Sequence, residues 1–165
     1  MPQLVDALLE SWDRQSTIIN NLATLITPET AKFKSGPTEW NIGEHLAHIH
    51  DVRHGWLQEA FPGRDFGLPS FHAKTESGNW VSCAELDRAR ETLKRGAVTL
   101  REAVAPLLVE GGQLGPYDHP VFFLQHMIWH EGWHAGAIIQ ALRANGQEPP
   151  ESWEEPNVWG LWRTE

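Results

Sequence analysis

The chain has 165 residues, 13 Lys and Arg against 22 Asp and Glu, and a formal net charge of −9. That length suits one domain with a core of useful size, and the acidic balance disfavours contact with nucleic-acid phosphates. One cysteine, Cys83, can form neither an intrachain disulfide nor a thiolate zinc site, which fits a reducing cytoplasm. No apolar run reaches the roughly 18–20 residues of a membrane span. The first ten residues carry Asp6 and Glu10 without a basic start, so they do not read as a signal peptide. Nine Trp and nine His are the unusual counts.

Four segments are predicted as helices. The first runs from about Leu4 to Ile26, where Leu4, Leu8, Trp12, Ile19, Leu22 and Ile26 draw one apolar stripe closed by Pro28. The second runs from about Ile42 to Ala60; Asn41 with Glu44 has the form of a capping box, and Pro62-Gly63 ends it. The third runs from about Cys83 to Leu108, with Ser82 and Glu85 repeating the cap signature and Pro106 placed to fray its last turn. The fourth runs from about Pro120 to Ala144, with Pro120 at a first helical position and Gly146 as its C′ residue. No connection alternates like a strand. The tail, about 151–165, holds Trp153, Trp159 and Trp162 and should dock on its own helices or on another chain. The expected architecture is all-α, most simply a four-helix bundle in one domain over 1–165.

The chemistry concentrates in histidines. His130-Glu131-Gly132-Trp133-His134 places two His at i and i+4, one turn apart on one face. Phe123, Met127, His130, His134, Ala137 and Ala141 step at helical intervals, so both His interrupt a stripe that should face the core. A buried imidazole without partners costs about 1–3 kcal/mol. Two in succession ask for one explanation, and convergence on a metal ion supplies it better than two separately bonded core His. The second helix offers a third ligand among His45, His48, His50 and His54. His45 and His48 flank its apolar stripe, whereas His50 and His54 read as solvated. His72, His119 and His126 are assigned no chemistry. Three neutral imidazoles would leave a coordination position open, as catalytic sites do, and suit zinc, nickel or iron.

Glu131 also completes an H-E-x-x-H motif, in which a zinc hydrolase would find its general base. A downstream acid such as Glu151, Glu154 or Glu155 could then complete the ligands. The segment after Gly146 is rich in Pro and offers no ligand-bearing helix, and that reading leaves the second-helix His without a role. Glu131 therefore reads as a surface carboxylate or as a group behind the ligands. Trp56, Trp129 and Trp133 lie near the ligands in sequence and either wall a pocket or fill core.

The segment Trp40-Asn41-Ile42-Gly43-Glu44-His45-Leu46-Ala47-His48-Ile49 resembles the second-helix signature of the DinB/YfiT-like family. His130-Glu131-Gly132-Trp133-His134-Ala135-Gly136, followed by Leu142-Arg143-Ala144-Asn145-Gly146, resembles its fourth-helix signature. The likeness spans the first helix to Gly146. It implies an up-down-down-up four-helix bundle and one divalent metal ion held by His48, His130 and His134. Ala135 departs from the Arg that the family often carries there, so any anion contact of that Arg is not implied. Relatives include transferases and isomerases that use mycothiol, bacillithiol or glutathione, which implies a low-molecular-weight thiol and a small-molecule substrate.

The expected function is a metal-dependent thiol S-transferase or isomerase, with zinc or nickel ahead of iron. The alternatives are a non-catalytic metal- or ligand-binding bundle and an H-E-x-x-H hydrolase. Depth separates the second-helix candidates: His45 lies in the first turn and can reach solvent, while His48 lies a turn deeper beside Ile49 and Val52. The Trp-rich tail leads to the expectation of a homodimer.

Overall fold

A computed structural model describes residues 2–74, 76–77, 80–82 and 85–163. Four long helices carry the chain: α1 over Pro2–Leu25, α2 over Ile42–Ala60, α3 over Leu86–Glu110 and α4 over Pro120–Ala144. The capping box forms as the sequence predicts. The Asn41 side chain accepts from the Glu44 amide at 2.9 Å, and the Glu44 carboxylate accepts from the Asn41 amide at 2.7 Å. Pro120 opens α4 behind His119, whose Nδ1 accepts from the Val121 amide at 3.2 Å.

Three details differ from the sequence reading. A short antiparallel hairpin, β1 over His72–Lys74 and β2 over Trp80–Ser82, joins α2 to α3 and pairs His72 with Ser82. Three-residue strands are too short for an alternating pattern to show. Ser82 is thus strand, and α3 begins after Glu85, which makes no side-chain cap bond; Cys83 lies outside the described residues. Helix α3 runs through Pro106, as expected, and continues to Glu110, past the expected end at Leu108. The tail adds α5 over Glu151–Asn157, docked on α1 through a bond from Asn21 Nδ2 to the Asn157 carbonyl at 3.0 Å. No helix among the described residues is long and apolar enough to cross a membrane.

Helices α1 and α2 each pack against both α3 and α4. The core between them is divided. One apolar cluster gathers Leu9 and Trp12 of α1, Leu57 and Ala60 of α2, Leu100, Val104 and Leu108 of α3, and Phe123 and Met127 of α4. A second gathers Ile19 and Ala23 of α1 with Ile26 just beyond its end, Ile42, Leu46 and Ile49 of α2, Leu93 of α3, and Ile138 and Ala141 of α4. Between them lies a buried polar layer that includes Ser16, His50, Arg53, Glu131 and His134. All candidate ligands project from α2 and α4 at or next to that layer.

Candidate metal centre

His48 leaves α2 and His130 and His134 leave α4, and their rings meet. His130 Nε2 lies 3.2 Å from His48 Nε2 and 3.1 Å from His134 Nε2. One ligand atom from each of the three lies within 4.8 Å of the others. Two imidazole nitrogens on one tetrahedral zinc ion, each at about 2.0–2.1 Å, stand about 3.3 Å apart. The observed separations match that spacing, so the donor set fits a divalent ion.

Electrostatics point the same way. Burial and the neighbouring imidazole of His48 hold the His130 ring down to about 4, and burial with His130 beside it holds His134 down to about 3. Burial also lowers His48. The three rings are therefore neutral at pH 7, the state in which imidazole binds a metal. His130 Nδ1 is buried and finds no partner among the described residues. Trp40 covers the cluster: its ring stacks on His134 at 6.1 Å and 9° and meets His48 edge-on at 4.9 Å.

Glu131 faces away from this cluster. It is 1% exposed, and both its oxygens are taken by Arg53 of α2, Nε to Oε1 at 2.6 Å and Nη2 to Oε2 at 2.8 Å. Arg53 also donates from Nη1 to the Leu93 carbonyl at 2.6 Å and lies 5.1 Å from the Trp12 ring centroid. A carboxylate held in a buried guanidinium fork cannot accept a proton from a metal-bound water without breaking the pair. Of the two roles the sequence leaves to Glu131, the surface one is excluded.

A family model described as DinB matches residues 1–155. The chain belongs to the DinB family. No curated protein and no solved structure matches it.

In this DinB protein several histidines sit otherwise than the sequence suggests. His45 is buried, 8% exposed, and its Nδ1 lies 2.8 Å from His134 Nδ1. The expected solvent contact is closed because Trp40 folds back against both rings. His50 is fully buried rather than solvated; its Nε2 donates to the Pro69 carbonyl at 2.7 Å. Gly96 permits this, since a Cβ there would stand 3.3 Å from His50 Nδ1. His126 bonds the Tyr117 hydroxyl at 2.7 Å. Trp129 and Trp133 are each 66% exposed on the outer face of α4 and wall nothing at the cluster, and Trp56 packs on Tyr117 and His126.

His72 carries no signal in the sequence yet stands beside the cluster. Its Nδ1 donates to Asp51 Oδ2 at 2.6 Å, and its ring meets that of His48 edge-on at 6.4 Å. Asp51 also accepts from the Phe71 amide at 2.8 Å, which pins the hairpin's first strand across α2. Only the chain's return after α2 creates this pair.

Proposed function

We propose that this DinB protein is a metal-dependent enzyme that uses a low-molecular-weight thiol on a small electrophilic substrate, as an S-transferase or isomerase. His48, His130 and His134 hold one divalent ion, zinc or nickel ahead of iron. The observation that carries the reading is the convergence of three neutral imidazoles with no carboxylate among them. A divalent ion bound to neutral ligands keeps its full charge and lowers the pKa of a coordinated thiol or water toward neutrality. Trp40 supplies an aromatic wall, and the Asp51–His72 pair offers a polar contact at the rim. The hydrolase alternative loses its base, because Arg53 occupies Glu131.

The same reading includes a four-helix bundle of up-down-down-up connectivity in one domain. Its support is the core: one cluster takes the early parts of α1 and α4 with the late parts of α2 and α3. It also includes a cytoplasmic setting and a homodimer. Trp159 and Trp162 remain 55% and 42% exposed beside the docked α5, on a molecule that also exposes Trp129 and Trp133. Sedimentation of the full chain should show a dimer, and truncation after Pro150 should weaken it; a monomeric full chain refutes this part.

Activity is tested by incubating zinc- or nickel-loaded protein with bacillithiol, mycothiol or glutathione and an aryl halide or epoxide. Thiol adduct formation should require both metal and His130. Metal-loaded protein that forms no adduct with any of the three thiols would favour the non-catalytic bundle.

A further inference from the structure

We propose that His45 is a positioning residue whose Nδ1 accepts the Nδ1 proton of His134 and so turns the His134 Nε2 lone pair toward the metal position. This rests on the ligand reading above. The two rings approach through like atoms, Nδ1 to Nδ1 at 2.8 Å, so one proton lies between them and one ring must be the acceptor. Were His45 the donor, neutral His134 would carry its proton on Nε2. That atom faces His130 Nε2 at 3.1 Å, and a proton there would block ligation. Only the opposite arrangement leaves Nε2 free, and it puts the His45 proton on that ring's own Nε2.

The surroundings hold the acceptor in place. The Asn41–Glu44 capping box fixes the turn of α2 that carries His45. Trp40 lies 5.7 Å from the His45 ring and parallel to His134. Metal-bound His usually donates its second N–H to a carboxylate, a carbonyl or water, and such contacts set both ring orientation and affinity. A neutral imidazole in that role orients His134 without adding negative charge behind it, so the ion keeps more of its own charge for the bound nucleophile.

Nitrogen-15 NMR of histidine-labelled, zinc-loaded protein reads the tautomers directly. The expected result is His134 protonated on Nδ1 and His45 on Nε2. Competition against a chelator should show His45→Phe binding one zinc per chain about 10–100-fold more weakly. His45→Gln, whose amide oxygen can accept, should recover most of that loss. Melting of the chelated variants reports whether they fold; if His45→Phe does not, the wild-type tautomers and His45→Gln still decide. His134 protonated on Nε2 in the loaded protein, or His45→Phe affinity within about twofold of wild type, overturns the proposal. Loss of zinc in His48→Ala alongside an unchanged His45→Phe would overturn the positioning role alone. Undiminished zinc in both His48→Ala and His134→Ala would overturn the ligand reading with it.

Discussion

Glu131→Ala is expected to destabilise the protein by about 3–5 kcal/mol, the cost of leaving one charge of a buried pair without its partner. For a chain of this size that corresponds to a fall in melting temperature of about 6–20 °C. The basis is geometric. Arg53 and Glu131 each expose about 1% of their side chains, and they share two short charge-assisted bonds. Removing the carboxylate leaves a guanidinium whose remaining contacts are the Leu93 carbonyl and the face of Trp12. The double change Arg53→Met with Glu131→Leu should cost much less than the two single changes added together, because neither charge is left unpaired. Denaturant unfolding of the four proteins completes the cycle. A loss below about 1 kcal/mol in Glu131→Ala would show that the pair is not the buried contact described.

Chelation is expected to destabilise the metal-loaded protein almost as much. An ion that binds only the folded state, present at 1,000 times its dissociation constant, stabilises it by about 4 kcal/mol. Zinc or nickel should restore the lost melting temperature fully in wild type, only partly in His45→Ala, and not in His48→Ala. Metal-free protein indifferent to added divalent ions would contradict the site. The lowered histidines also set a pH dependence. Folded His130 and His134 take up protons only near pH 4 and 3, whereas the unfolded chain takes them up near 6.5. The unfolded state thus binds more protons in that window, and the chelated protein should lose stability as pH falls from 6.5 toward 4. For the same reason metal affinity should persist below the pH of about 6 at which an unperturbed imidazole begins to compete for protons.

The helices were legible because their apolar stripes are regular and their ends are marked by Asn41, Pro62, Pro120 and Gly146. The meeting of His130 and His134 followed from their spacing, and His48 from depth and resemblance. The polar layer was also written in the sequence. Arg53 stands in the stripe Leu46, Ile49, Arg53, Leu57, and Glu131 in Met127, Glu131, His134, Ile138. Opposite charges on two inward stripes are a readable sign of a buried pair, although the neighbouring α4 stripe through His130 is just as regular in the sequence. The Asp51–His72 contact and the closure of Trp40 over His45 were not legible. Both depend on how the connections before and after α2 fold back, and connections carry no periodicity.

The Arg53–Glu131 fork also acts as an alignment pin. Apolar stripes tolerate sliding, since a shift of one turn, about 5.4 Å, exchanges one Leu or Ile for another. A buried fork does not, because the same shift strands both charges against the apolar clusters on either side. The pin joins α2 to α4, the two helices that carry His48, His130 and His134. The accuracy with which those imidazoles converge is therefore inherited from a contact that touches none of them.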